Sequence, residues 1–394
     1  MLRKISVGID VGTFQIKVVV SEEIKKEDGS YCPKVIATGY AESKGMRHGY
    51  IINSEDIIRC LKIAVDQAEK IAKIKIKKAY ISVGGSGLGS IIGKGAVMIS
   101  KADSEITDMD VKSVLSIAEE DLSQSAMMNK KIIHQIPISY KIDGQPLMGR
   151  PVGMHGARLE VKVLFVYCIE QHLDDLIQAI KDAGIEVMDV MASPLAASIV
   201  SLNKSQKIAG CVLANIGSET VSLSVFENNI PVSLEVLPIG GTDITNDIAL
   251  GFRIPIDEAE HIKIGSVSEA QYPKKKLDEI IIARLSDIFE LIESHLKKIG
   301  RSGLLPAGII LTGGSSGIET IEDVARATLK IPSKIASIDF ASNLKNSQIK
   351  DSTWAVAYGL SIWGLNSGDD MPGLEIQTKG FFDKLKSLFR PFLP

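Results

Sequence analysis

Gly8-Ile9-Asp10-Val11-Gly12-Thr13-Phe14-Gln15-Ile16-Lys17 is the stretch that decides the fold. The apolar run from Ile5 to Ile9 delivers an acid. A glycine and a hydroxyl residue follow, and the chain returns as Ile16-Lys17-Val18-Val19-Val20. Two strands joined by a tight turn, with polar groups gathered at the turn, satisfy this pattern. Gly12 lets backbone approach a ligand, and successive N–H groups with the Thr13 hydroxyl suit phosphate oxygens. Asp10 repels phosphate unless a magnesium ion, held mostly through its waters, stands between them. Taken alone, the stretch also fits an ordinary hairpin with a solvated Asp at its tip.

A second copy favours the phosphate reading. Cys211-Val212-Leu213-Ala214-Asn215-Ile216-Gly217-Ser218-Glu219-Thr220 precedes the alternating run Val221-Ser222-Leu223-Ser224-Val225, and Asp10 and Gly12 map to Asn215 and Gly217 by one offset of 205 positions. A second pair repeats as well: Ala79-Tyr80-Ile81-Ser82-Val83-Gly84-Gly85 resembles Gly308-Ile309-Ile310-Leu311-Thr312-Gly313-Gly314. The order hairpin, Gly-Gly, hairpin, Gly-Gly implies two similar α/β halves facing each other. Two phosphate-facing hairpins across a cleft describe an actin-like, ribonuclease H-like duplicated fold.

The 394 residues suffice for two or more domains with sizeable cores. A net charge of −3 and an aromatic content of 5% argue against a nucleic-acid role. Cys32, Cys60, Cys168 and Cys211 are scattered, without metal-ligand spacing, and read as reduced thiols of a cytosolic protein. The six histidines show no zinc spacing. No secretory leader and no membrane span are expected, since no apolar run approaches the ~18 residues needed.

Asn53-Ser54-Glu55-Asp56 reads as the start of a helix with an apolar face through Ile57, Leu61, Ala64, Val65 and Ala68. Gly84-Gly85-Ser86-Gly87-Leu88-Gly89 fails as a Walker loop, because Gly95 stands after Lys94 where Ser or Thr is needed. A flexible domain junction is expected there. Residues 86–162 form an α+β insertion, with a capped helix from Thr107 and strands over Lys131–Tyr140 and Arg158–Tyr167. It carries no convergent catalytic groups and suits an interaction role.

In the second half, Gly240-Gly241-Thr242-Asp243 leads into one helix and Asp257 starts another. On the latter, Glu260 and Lys263 share a face, either as a ligand pair or as an exposed ion pair worth a few tenths of a kcal/mol. A long helix is expected over Leu277 to Ile299. Gly313-Gly314-Ser315-Ser316 turns from a strand toward a helix starting near Ile318. Such small residues admit a flat ring or the first phosphates.

The chain resembles the FtsA family of bacterial cell-division proteins. The likeness covers essentially all of it and includes Val7-Gly8-Ile9-Asp10-Val11-Gly12-Thr13, Gly45-Met46-Arg47-His48-Gly49, Asp66-Gln67-Ala68-Glu69, Pro151-Val152-Gly153-Met154, Asp257-Glu258-Ala259-Glu260-His261-Ile262-Lys263 and Leu311-Thr312-Gly313-Gly314. The resemblance implies four subdomains: 1A over 1–85 and 163–197, the inserted 1C over 86–162, 2A over 198–235 and 300–365, and 2B over 236–299. It implies ATP and Mg2+ as cofactors. Gly12, Thr13, Phe14 and Lys17 would meet the phosphates and Asp10 the magnesium shell. Asn215, Gly217, Ser218 and Thr220 would form the opposing loop. Glu260 and Lys263 would reach ribose, with Gly241, Gly313, Gly314 and Ser315 completing the nucleotide site. The implied partners are the C-terminal peptide of FtsZ, other copies of the chain in a protofilament, an anionic membrane surface, and other division proteins through 1C. Arg284, Lys297, Lys298 and Arg301 are candidates to meet the acidic FtsZ peptide, or else form a solvated cationic helix end. The location implied is the cytoplasmic side of the membrane at the division site.

One departure stands out. The family's second loop usually reads Asp-Ile-Gly-Gly-Gly-Thr, whereas here it is Asn215-Ile216-Gly217-Ser218-Glu219-Thr220. Glu219 could restore the lost charge only from a longer arm, so ATP hydrolysis is expected to be weak or absent.

The segment 366–378 reads as a linker, and residues 379–394 as an amphipathic helix. Phe381, Phe382, Leu385, Leu388, Phe389 and Phe392 fall on one face, flanked by Lys379, Lys384, Lys386 and Arg390. At ~1.5 Å per residue it is about 24 Å long, which suits the membrane interface rather than a span. An actin-like adaptor of pilus assembly and a small-molecule kinase of the same fold remain as alternatives. A kinase needs a general base, and no persuasive one stands near the crossing Ser193-Pro194-Leu195-Ala196, although Asp189 is close to it.

Overall fold

The computed structural model describes residues 4–25, 30–265, 272–338, 340 and 352–366. The expected tail and its six apolar residues lie outside these, as does most of the linker. In chain order the first half holds β1 (Ile5–Val11), β2 (Gln15–Lys25), β3 (Tyr31–Glu42), the short pair β4 (Met46–Arg47) and β5 (Tyr50–Ile51), α1 (Ser54–Ala72) and β6 (Lys78–Val83). The insertion follows with β7 (Gly89–Met98), α2 (Asp108–Glu120), α3 (Gln124–Met127), β8 (Lys130–Ile142), β9 (Gln145–Leu147) and β10 (Arg158–Ile169). The chain re-enters the first half through α4 (Glu170–Asp182), β11 (Glu186–Ala192) and α5 (Ser193–Ser201). Then come α6 (Lys204–Ala209), β12 (Cys211–Ile216), β13 (Val221–Glu227), β14 (Ile230–Leu237), α7 (Gly241–Phe252), α8 (Ile256–Lys263), α9 (Lys274–Lys298), β15 (Ile309–Thr312), α10 (Ile321–Leu329), β16 (Ser333–Ile335) and α11 (Ala355–Asn366).

The duplication is visible in the sheets. The first runs β11-β6-β1-β2-β3, and the second begins β16-β15-β12-β13-β14. In both, the hairpin strands pair antiparallel and the outer two pair parallel. Ile9, Ile16, Val18, Val19 and Val20 are fully buried. They read as an unbroken apolar run because the first sheet has both faces covered. The cover on one face is α11, packed so closely that a Cβ on Gly8 would lie 2.2 Å from the Ala357 carbonyl. The residues of α11 are almost all buried, so its sequence carries no amphipathic period from which to read it.

Beyond β14 the second sheet continues as β7-β10-β8-β9, all antiparallel. The join rests on the paired position Glu235 and Gly89 and on Ser90, whose hydroxyl bonds both the Leu234 carbonyl and N–H at 2.8 Å. The glycine-rich junction is therefore closely packed rather than flexible, and from Gly89 onward it is strand. Gly93 and Gly95 are small because α2 lies on them: a Cβ at either would come within 2.2 Å of a helix carbonyl. Thr107 and Asp110 form the expected capping box, with Thr107 N–H donating to Asp110 Oδ2 at 2.8 Å. Where a helix is expected from Ile318, a 3-10 turn over Gly314–Gly317 comes first and α10 starts at Ile321.

Candidate functional site

The two hairpins face one cavity of about 610 Å³ between the halves. Both turns close with the same bond: Gly12 N–H donates to the Gln15 carbonyl at 3.1 Å, and Gly217 N–H to the Thr220 carbonyl at 2.9 Å. The first loop brings Asp10, Gly12, Thr13, Phe14 and Lys17 to the cavity, and the second brings Asn215, Gly217, Ser218 and Thr220. Gly241, Glu260, Lys263, Gly313, Gly314 and Ser315 complete the set, so every residue expected to meet cofactor or metal lines this cavity.

Asp10 lines the cavity. Ser82 donates to its Oδ1 at 2.7 Å, and Lys17 pairs with it across the hairpin. Burial pushes its carboxyl above the usual range, against the opposing pull of Ser82 and Lys17. A carboxylate in such a place gains from a cation. Lys17 Nζ donates to the Thr353 carbonyl at 2.8 Å and lies 5.4 Å from the Trp354 ring, so phosphate contact requires it to share or leave that partner.

On the opposite wall, Glu260 and Lys263 form a network rather than an exposed pair. Lys263 Nζ lies 2.7 Å from Glu260 Oε2 and donates to Thr245 Oγ1 at 2.8 Å and to the Gly241 carbonyl at 3.1 Å. The second loop is tied to the start of α7 by Gly241 N–H to the Gly217 carbonyl at 2.9 Å and Thr242 N–H to the Ser218 carbonyl at 2.7 Å. Gly313 sits at φ +92° against Asn215, where a Cβ would come within 2.3 Å of the Asn215 side-chain oxygen. A Cβ on Gly314 would meet nothing within 4 Å, leaving bare backbone on the cavity. Glu219 turns elsewhere: its carboxylate accepts the His48 backbone N–H.

Sequence reasoning did not find Ser82, His172, Ser193, Thr353 or Val356 on this wall. Their elements come from remote parts of the chain, and only the Gly-Gly repeat beside Ser82 offered a signal. Asp189 is not on the wall. It bonds its neighbour's Val190 N–H at 2.8 Å, and burial pushes its carboxyl up to about 7. Of the four cations expected at a peptide surface, three hold carboxylates of this chain. Arg284 grips Asp247 at 2.6 and 3.0 Å, Arg301 holds Glu227 at 2.5 and 2.9 Å, and Lys297 lies 3.5 Å from Glu293.

The twin sheets, the interposed cavity and the inserted sheet define an actin-like protein. The chain aligns with the PilM chain of a PilM–PilN type IV pilus biogenesis complex at a TM-score of 0.67 and 18% identity, covering 91% of this chain and 98% of that one. Its likeness to MreB5 of Spiroplasma citri has a TM-score of 0.50 at 13% identity, covering 91% and 95%. The family described as cell division protein FtsA matches residues 212–359, and the SHS2 domain inserted in FtsA matches residues 85–167. Cell division protein FtsA of Pseudomonas aeruginosa is 27% identical over 96% of this chain and 93% of its own length. That of Bacillus subtilis is 28% identical over 94% and 88%, and that of Escherichia coli K12 28% over 82% of each. The chain belongs to the FtsA family of cell-division proteins.

Proposed function

We propose that this chain binds ATP with magnesium between its halves, polymerises on the inner face of the cytoplasmic membrane and anchors FtsZ there, helping to assemble the division ring. The observation that carries the reading is the pair of like-closed hairpins at one cavity, with small residues where a nucleotide must come close. The cavity volume suits a molecule of this size. Gly12, Thr13, Phe14 and Lys17 hold the phosphates from one side, and Gly217, Ser218 and Thr220 from the other. Glu260 and Lys263 take the ribose, and Gly241, Gly313, Gly314 and Ser315 surround the rest of the nucleoside. Asp10 meets magnesium through its water shell, which suits an ion that keeps waters and leans on substrate phosphates. Among the described residues no group of three His, Cys, Asp or Glu could hold a metal alone. Magnesium would neutralise the phosphates, and Asn215 brings no charge to assist water attack, so turnover is slow or absent.

The subdomain boundaries at 86–162 and 236–299 frame two partner surfaces: 1C for other division proteins, and 2B for the FtsZ peptide near Lys298 and the paired Arg284, Lys297 and Arg301. No described helix is long and apolar enough to cross a membrane, so attachment is assigned to the amphipathic 379–394 segment. Calorimetric titration of full-length protein with ATP and Mg2+ tests the cofactor, and absence of binding would refute it. Phosphate release at several turnovers per second would refute the weak-hydrolysis part. Liposome co-sedimentation tests the membrane part. Phe389→Glu should release the protein from anionic vesicles with its melting unchanged, and undiminished sedimentation would refute that assignment.

A further inference from the structure

Strands β1, β6 and β11 run parallel and bring their C-terminal ends to the cavity, with Asp10, Ser82 and Ser193 on its wall. Their N-terminal ends therefore form the opposite foot of the first sheet. The chain reaches that foot from α1 as Lys70-Ile71-Ala72-Lys73-Ile74-Lys75-Ile76-Lys77-Lys78, where β6 begins. These are five lysines without an acid, in a chain of net charge −3. All five are exposed, and Ile71 among them is 50% exposed. Lys75 pairs with Glu69 and Lys78 with Glu186, but among the described residues Lys70, Lys73 and Lys77 form no ion pair. The dipole of α1 accounts for Lys70 in its last turn, and its influence ends there. Lys73 caps the helix and Lys77 lies beyond it. The described chain also ends at this foot. Helix α11 follows Thr353 of the cavity wall and runs to Gly364, where a Cβ would lie 2.1 Å from Ser6 Oγ and 2.3 Å from the Tyr80 ring. Asn366 closes α11 one turn or less from Tyr80, which stands on β6 beside the lysines.

We propose that this lysine face is a second membrane contact, which meets anionic phospholipid headgroups and sets which end of the body faces the bilayer. This rests on the membrane reading of residues 379–394, because a segment following Asn366 holds this foot, rather than the cavity end, toward any surface it enters. Lysine ammonium groups are compact, hydrated point charges that suit a diffuse anionic layer. Each adds about fivefold to affinity near such a surface. The exposed Ile71 side chain adds apolar contact. The cavity then opens at the far end of the strands, about 20 Å of strand away from the lipid.

The test is co-sedimentation of full-length protein with vesicles of phosphatidylcholine alone and of phosphatidylcholine mixed with phosphatidylglycerol, with no other protein present. One variant carries Lys70→Gln, Lys73→Gln and Lys77→Gln. A second carries Lys94→Gln, Lys141→Gln and Lys162→Gln, which removes the same charge from exposed positions of the insertion. Thermal melts establish that both are folded. The first variant should lose at least about tenfold in affinity for the mixed vesicles and nothing on phosphatidylcholine alone. The second should lose less than about twofold, since its charges lie beyond screening range of the lipid. On the parent, mixed vesicles should slow acetylation of Lys73 and Lys77, read by mass spectrometry, and leave Lys94 and Lys162 unchanged. Equal losses in the two variants, no loss in the first, or unslowed acetylation of Lys73 and Lys77 overturns the lysine face and leaves the tail anchor standing. A parent that does not sediment with the mixed vesicles overturns the membrane reading and this inference with it.

Discussion

The first hairpin and the second have the same strand order, the same turn-closing bond and the same cavity, but different chemistry. Asp10 pairs with Lys17 across the first, while Asn215 pairs with Ser222 across the second. Ser82 donates to Asp10, whereas Thr312, on the strand beside Asn215, gives its hydroxyl to the Ser352 carbonyl. Backbone pairing and burial preserve a duplicated frame whatever stands at its tips. Charge at the tips is free to diverge, because it answers to ligand and not to packing. Here one half carries an acid, and the other a neutral amide with a nearby carboxylate turned toward His48.

The strongest way to break the comparison is to force the strands to match. Position 8 corresponds to position 213, where a fully buried leucine packs in the second sheet. Gly8→Leu therefore makes the first strand like the second, but drives a side chain into α11, whose Ala357 carbonyl is 2.2 Å from a Cβ there. Overpacking against backbone should cost about 3 kcal/mol, the upper end of the usual range. Urea unfolding should show a lower midpoint or an insoluble chain, and an unchanged midpoint would show that α11 does not pack as described.

Equalising the charges comes next. Asp10→Asn gives both halves an amide and should weaken magnesium-dependent nucleotide binding by about tenfold to a hundredfold, the scale of a hydrogen bond to a charged group. Asn215→Asp should instead raise the dependence on magnesium. Both are read by titration with and without the ion. Asp10→Asn also has a signature without nucleotide. Because burial raises the Asp10 carboxyl above its ordinary 3.8, the folded state binds the proton more tightly than the unfolded one. Stability from this group is present at low pH and is lost as pH rises past 3.8 through the folded value. The variant should remove that loss and melt higher than the parent at pH 7. A lower melt would mean that Asp10 stabilises the frame.

The smallest contrast lies in the hydroxyls, Thr13 in one loop and Ser218 in the other. Thr13 accepts the Gly49 N–H at 3.2 Å, so Thr13→Ala strands a part-buried donor and should cost about 1–2 kcal/mol in denaturant. The Ser218 tie to α7 runs through its main-chain carbonyl, which Ser218→Ala retains, so that change should stay within about 0.5 kcal/mol. Equal losses at the two positions would erase the distinction.

The sequence alone determined the duplicated hairpins, the two Gly-Gly strands, the insertion and the hairpin-tip residues of the cavity wall. Each of these is local: a short apolar run, a turn residue, a repeat at fixed offset. It could not reveal α11, because a helix buried on nearly all sides loses the period that betrays amphipathic ones. Nor could it show that Gly93 and Gly95 are small to admit α2, or that the junction after Gly84 becomes a strand. The partner of Glu219 was equally out of reach, since His48 is 171 positions away and offers a backbone N–H that every non-proline residue has. The tertiary structure alone decided which donor that carboxylate meets, because only folding brings two distant turns across one cavity.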